Sequence, residues 1–135
     1  MLSLLMLLAM QDAPAQDGPF HHGVWTGQCW LTGMKAGPLC RGTGGQAGKL
    51  WIMIERSPAK MDIYASGACG EDLPPVTLTQ AQLAGVDRVR AVNAAIGEAA
   101  AKANAACKTN EAFAGTEADL GELLTETDRI AGTAK

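Results

Sequence analysis

Four cysteines are the residues of this chain with the widest choice of chemistry. Cys29, Cys40, Cys69 and Cys107 could hold a metal ion, act as redox thiols, or cross-link the chain. The closest pair has ten residues between its members, whereas structural zinc sites usually place about two to four residues between paired cysteines. A thioredoxin-like redox site needs a C-x-x-C motif, which the sequence lacks. The even count therefore predicts two disulfides, and of the three possible pairings we favour Cys29 with Cys40 and Cys69 with Cys107.

The histidines and serines offer little for catalysis. His21 and His22 are adjacent, so in a strand they would point to opposite faces and at most one could join the cysteines at a metal. A serine nucleophile needs a histidine to take its proton, and only Ser57 and Ser66 follow the first fifteen residues. The sequence thus predicts no catalytic residue, no metal site and no cofactor.

A glycine-rich stretch, GTGGQA at residues 42–47, matches the G-x-G-x-x-A string of dinucleotide-binding folds. In those folds the motif follows a strand and opens a helix, but here it leads into the apolar run KLWIMIE. The overlapping TGGQAGKL departs from a phosphate-binding loop, because Thr43 replaces the first glycine and Leu50 replaces the Ser or Thr that binds magnesium. We therefore expect a mobile turn whose glycines permit positive φ.

Tryptophans on predicted strands are the main candidates for a binding surface. Trp25, Trp30 and Trp51 could form an aromatic platform, and Trp30 and Trp51 can share one face of a sheet. Together with His22, Trp30 and Trp51 make up the possible binding surface. Packing in the core is the more common role of strand tryptophans, so both roles stay open at this point.

The strands that would position these side chains are predicted from alternation. The side chains of GVWTGQCWL alternate between two faces. KLWIMIE is a continuous apolar run, which is typical of a central strand covered on both faces, and MDIYAS follows it after a short turn. We predict antiparallel strands over residues 23–31, 49–56 and 61–66.

Helices are predicted after Pro74 and Pro75. Apolar residues recur three or four apart over 79–107, and TQAQ at the start of that range is a capping box. A second helix is predicted over 116–130, with Thr116 as its cap. The predicted fold is α+β: a small three-stranded antiparallel sheet packed against one long helix, with a second, shorter C-terminal helix.

The first fifteen residues, MLSLLMLLAMQDAPA, are typical of a secretory leader. An apolar run over 4–10 precedes the small-any-small pattern Ala13-Pro14-Ala15, although no Lys or Arg precedes the run. A buried N-terminal strand is the alternative. The run is shorter than the roughly 20 apolar residues that span a bilayer, so no transmembrane span is predicted. We predict a signal peptide over 1–15, a single disulfide-stabilised domain over 16–135, and a periplasmic or extracellular location.

The charge distribution argues against nucleic acid as a partner. The formal net charge is −3. Residues 16–68 carry five basic and three acidic side chains, for +2, whereas residues 69–135 carry six basic and ten acidic side chains, for −4. Phosphate binding needs clustered Lys and Arg, which are scattered here. Hydrophobic residues make up 47% of the chain but aromatic residues only 4%, so we expect a thin core.

One short stretch resembles a known family. WTGQC at 25–29, followed after ten residues by Cys40 and then by an apolar strand, looks like the start of the invasion-associated locus B family of small exported bacterial proteins. The resemblance covers roughly thirty residues and leaves out the helical half, so no function is carried over from it.

Two classes of function remain. The scarcity of histidine and serine favours a non-catalytic exported protein that binds an unknown protein or envelope component. The alternative is a small hydrolase or metal-binding protein. A concave pocket lined by Glu71, Asp72 or His22 would favour the enzyme, whereas a flat exposed patch with Trp30 or Trp51 would favour the binding protein. The sequence does not determine the oligomeric state.

Overall fold

A six-stranded antiparallel sheet forms the centre of this protein in a computed structural model that describes residues 18–30, 38–45, 49–70 and 72–132. The strands lie side by side in chain order, so each pairs with the next along the chain. They are β1 (Gly18–His22), β2 (Trp25–Trp30), β3 (Leu39–Gly45), β4 (Trp51–Arg56), β5 (Lys60–Ser66) and β6 (Val76–Thr79). The chain is α+β overall, but the predicted three-stranded sheet is wrong.

The glycine-rich stretch predicted as a mobile turn largely belongs to β3, while residues 46–48 lie outside the described ranges. Its glycines make room for aromatic rings. A Cβ added at Gly42 would lie 3.3 Å from the ring of Phe20, and one added at Gly44 would lie 2.8 Å from the ring of Phe113. Close packing of neighbouring rings over bare backbone therefore stabilises a strand that its own residues disfavour.

A tight turn of Gly23 and Val24 joins β1 to β2. Gly23 has a φ of 62°, which a type II′ hairpin turn requires at its first central residue and which glycine adopts at no steric cost. This hairpin adds the first strand that the sequence analysis missed.

Three α-helices follow the sheet: α1 (Gln80–Ala84), α2 (Arg88–Cys107) and α3 (Glu117–Thr127), the last continued by a π-helical turn over Asp128–Gly132. The predicted single helix over 79–107 is interrupted, because Gly85 is extended with φ −74° and ψ 160°. The predicted capping box is present, with the Thr79 side chain accepting from the Gln82 amide. Because Val86, in the break, is fully exposed, it does not join the apolar stripe that the period predicted.

The core lies between one face of the sheet, here called the inner face, and the helices. Alanines of α2 pack closely on the sheet because they carry no long side chain, and leucines of α3 fill the remaining space. The large side chains buried on the inner face are Phe20, Trp25, Ile52, Ile54, Met61, Ile63 and Leu78.

Both predicted disulfides are present. Cys29 and Cys40 are directly opposed on β2 and β3, and both are buried in the core. Cys69 and Cys107 join the segment after β5 to the end of α2, and Cys69 is exposed to solvent. One cross-link thus fastens the sheet to itself, and the other fastens the sheet to the helical layer.

The predicted signal peptide over 1–15 lies outside the described residues and stays a prediction. Among the ranges that the structure describes, no helix is both long and apolar enough to cross a membrane.

Candidate functional site

The two faces of the sheet differ in what covers them. In the described ranges, the helices lie against the inner face, and burial alternates along β4 because Ile52, Ile54 and Arg56 point inward. The other face, here called the outer face, carries the side chains that alternate with these. A sheet covered on one side only is typical of antiparallel architecture and leaves the second side to solvent or to a partner.

A polar row crosses the outer face from strand to strand. The register aligns Gln28, Arg41, Glu55, Asp62 and Thr77 on five neighbouring strands. The Nε and Nη2 atoms of Arg41 donate to Glu55 Oε2 at 3.0 and 2.7 Å. Thr77 Oγ1 donates to Asp62 Oδ1 at 2.6 Å.

Lys60 completes the charge balance of this face. Its Nζ lies 3.2 Å from Asp62 Oδ2. The Arg41–Glu55 and Lys60–Asp62 pairs each sum to zero charge, so these pairs exert little long-range attraction on a polyanion.

Apolar and aromatic side chains flank the polar row. Trp51, Met53 and Tyr64 are neighbours on one side of it, and all three are partly exposed. Trp30 and Leu39 form a cross-strand pair on the other side.

The two tryptophans named from the sequence share the outer face but do not form one platform. Trp30 lies opposite Leu39, whereas Trp51 lies opposite Gly45, six residues further along β3. At about 3.3 Å per residue, that separation is roughly 20 Å. Trp30 instead contacts Arg41, whose Cζ lies 5.9 Å from the centre of the ring. Trp25, the third tryptophan, is buried on the inner face against Phe113.

Tyr64 is held in its neutral form on this face. Burial raises the pKa of its phenol above the usual value, and the carboxylates of Asp62 and Glu55 raise it further. A neutral phenol keeps its proton and can donate a hydrogen bond to a group placed over the sheet.

His22 lies on the opposite side of the sheet from the two tryptophans. Its Nδ1 lies 3.3 Å from Glu122 Oε2 and its Nε2 lies 2.5 Å from Glu126 Oε1, both on α3. It lines a groove of about 590 Å³ together with Arg88 and Arg129. The three residues proposed as a binding surface are therefore not brought together by the fold.

The other candidates for chemistry are dispersed. His21 points away from His22 and bonds the carbonyl of Gly23 at 2.7 Å, while Ser57 Oγ donates to the carbonyl of Lys60. Asp72 is exposed, and Glu71 lies outside the described residues. In the part of the chain that the structure describes, no cluster of three or more His, Cys, Asp or Glu could hold a metal ion.

The edge strand β6 offers little to a partner strand. The N–H of Thr79 donates to Gln82 Oε1 at 2.8 Å, and the carbonyl of Lys60 accepts from Ser57 N–H at 3.0 Å. Because these backbone groups are already bonded elsewhere, Lys60 and Thr79 do not hydrogen-bond to each other. Alternation then directs the backbone of Thr77 outward, and Pro75, the next outward position, has no N–H. An added strand could therefore hydrogen-bond to little more than one residue of this edge, Thr77.

The opposite edge, β1, is blunted in the same way. The two-residue turn makes His22 and Trp25 a hydrogen-bonded pair, and alternation places Pro19 at an outward position. Proline at an edge removes a donor that another strand would need. The faces of the sheet, rather than its edges, are thus the surfaces suited to recognition.

Residues of the polar row were missed by the sequence analysis, which took KLWIMIE as covered on both faces. The outward residues Trp51 and Met53 are apolar like their inward neighbours, so they hide the alternation, and Glu55 is the first polar side chain that β4 places on the outer face. The signal that could have found the row is the spacing of charged residues two apart in KMD on β5.

Comparisons with family models, with curated proteins and with solved structures find no match for this chain. The resemblance of WTGQC to the invasion-associated locus B family therefore gains no support from them.

Proposed function

We propose that this protein is an exported, disulfide-stabilised binding protein without catalytic activity, and that it binds another protein through the outer face. The observation that carries the proposal concerns the described residues, among which helices bury the inner face while Trp30, Trp51, Met53 and Tyr64 stay partly exposed on the outer face. Aromatic residues and Met are enriched at the centres of protein interfaces.

The charges of the outer face favour a protein as the partner. The Arg41–Glu55 and Lys60–Asp62 pairs each sum to zero charge on the outer face, which suits a mixed polar and apolar partner better than a phosphate backbone. The two blunted edges support recognition through the face.

The geometry around His22 gives less support to a hydrolase. Both ring nitrogens face carboxylates of α3, and the hydroxyl of Ser57 is bonded to a backbone carbonyl, so no serine–histidine pair forms among the described residues. In the groove beside His22, Glu122 and Glu126 face the imidazole, and Arg88 forms an ion pair with Asp128.

The two disulfides also support the proposal that the protein is exported. Disulfides form and persist in oxidising compartments, and both pairs are present here. Together with the predicted leader, they support a periplasmic or extracellular location.

The proposal is tested by site-specific photo-crosslinking in the cells that make the protein. A photoreactive phenylalanine analogue replaces Met53 on the outer face or, as control, the exposed Ala94 of α2. We expect a protein adduct, identified by mass spectrometry, from position 53 and not from position 94. Equal labelling from both positions, or only glycan adducts from position 53, would contradict a protein-binding outer face.

A further inference from the structure

We infer, on the basis of the proposed function, that the partner of the outer face is the same face of a second copy of this chain. Two sheets packed face to face keep their strands within about 30° of each other and can be related by a two-fold axis. The register of this sheet makes the outer face complementary to itself in charge and in size.

The complementary arrangement has its two-fold axis parallel to the strands, midway between β3 and β4. β3 then faces β4 of the second copy, and β2 faces β5. Arg41 and Glu55 lie in one row on adjacent strands, so Arg41 faces Glu55 of the second copy and Glu55 faces its Arg41. Two symmetric ion pairs form at the centre.

Side-chain size matches along the same two strands. Trp51 lies opposite Gly45 in the register, so each Trp51 faces Gly45 of the second copy, a residue that carries no side chain. Met53 faces Thr43 in the row between, and both are partly exposed.

The side chains of β2 and of β5 of the second copy are complementary as well. Trp30 would face Lys60 of the second copy, a cation over an aromatic ring, and Gln28 would face Asp62. Tyr64, whose neutral phenol can donate, would face Thr26. In none of these rows do like charges oppose each other.

An alternative two-fold axis runs perpendicular to the strands, between the row of Arg41 and Glu55 and the row of Thr43 and Met53. This arrangement is less favourable. It would place each strand over itself, with Arg41 over Thr43 and Glu55 over Met53. Arg41 and Glu55 would keep each other as partners within one chain but would face no opposite charge of the second copy, so this arrangement gains no ion pair between copies.

The area of the face sets the strength of association. Five strand spacings of about 4.8 Å and a length of about 20 Å give roughly 500 Å² per copy, or about 1,000 Å² in total. Specific interfaces bury about 1,200–2,000 Å², so we expect a weak dimer that forms as the protein concentration rises.

The test uses analytical ultracentrifugation of the oxidised full chain and of two charge variants, Arg41→Glu and Glu55→Arg. Each variant has like charges within its own face and against a second identical copy. We expect the dissociation constant of each variant alone to rise about tenfold or more. In an equimolar mixture of the two variants, both pairs between copies are again opposite in charge, so we expect dimers to return.

Rescue on mixing cannot come from improved folding, because each variant keeps its own unfavourable pair within one chain. Glu98→Lys on α2 is the control, and we expect it to dimerise like the unaltered chain. The inference is overturned if the unaltered protein stays monomeric up to millimolar concentration, or if mixing restores no dimer. If the crosslinking experiment at position 53 instead captures a different protein, the proposed function stands and only the inferred identity of the partner is wrong.

Discussion

Replacing Arg56 by alanine is expected to lower the free energy of unfolding by about 3 kcal/mol. Arg56 points inward at the end of β4 and is only 1% exposed. Its Nη2 donates to Asp128 Oδ1 at 2.8 Å and to Gln80 Oε1 at 2.9 Å, and its Nη1 donates to the carbonyl of Ser57 at 2.6 Å.

The expected loss lies at the low end of the range for breaking a buried ion pair. Asp128 is partly exposed and keeps a second partner, Arg88, so it is not left as an isolated buried charge. The remaining cost comes from the lost hydrogen bonds to Gln80 and Ser57 and from the cavity left by the side chain.

Urea unfolding measures this loss, with Lys102→Ala as the matched control. Lys102 pairs with Glu98 on the surface of α2, where both side chains are at least half exposed. We expect the control to change the free energy of unfolding by less than about 0.5 kcal/mol. A loss of less than about 1 kcal/mol for Arg56→Ala would contradict a stabilising role for this buried cluster.

Removing the disulfide between Cys69 and Cys107 is expected to lower the free energy of unfolding by about 4 kcal/mol. The two residues are 38 apart in sequence, so the bond restricts a long loop in the unfolded chain. The bond also holds the segment after β5 against the end of α2.

The check compares Cys69→Ala, Cys107→Ala and the double variant under non-reducing conditions. Because each single change breaks the same bond, we expect all three to lose nearly the same stability. Limiting thiol reductant should give the same result in the unaltered chain, since Cys69 is exposed whereas Cys29 and Cys40 are buried. Additive losses, or a double variant as stable as the unaltered chain, would contradict the account.

The sequence predicted those features that depend on local or pairwise chemistry. Both disulfides match the pairing that we favoured among the three that four cysteines permit, and the capping box at Thr79 and Gln82 needs only four adjacent residues. The three predicted strands occur at β2, β4 and β5, where β-branched and aromatic residues are dense.

The strand β3 depends on contacts that a local pattern does not contain. β3 is stabilised where Phe113, far along the chain, packs over Gly44, and local propensity alone favours a turn there. The break at Gly85 was hidden because the apolar period continues on both sides of it.

The site was only partly predictable for the same reason. The place of Trp30 and Trp51 on one face follows from alternation, but their separation depends on the register with β3. His22 meets Glu122 and Glu126 about a hundred positions later, and only the packing of α3 beside β1 brings them together.

Peroxide oxidation of two methionines in dilute protein shows whether the sheet has one buried and one open face. Met53 lies on the outer face of β4, and Met61, on the adjacent strand β5, is fully buried on the inner face. We expect mass spectrometry to find sulfoxide forming at Met53 many times faster than at Met61, because oxidation follows access of the reagent to sulfur. Equal rates at the two residues, or faster oxidation of Met61, would contradict the account.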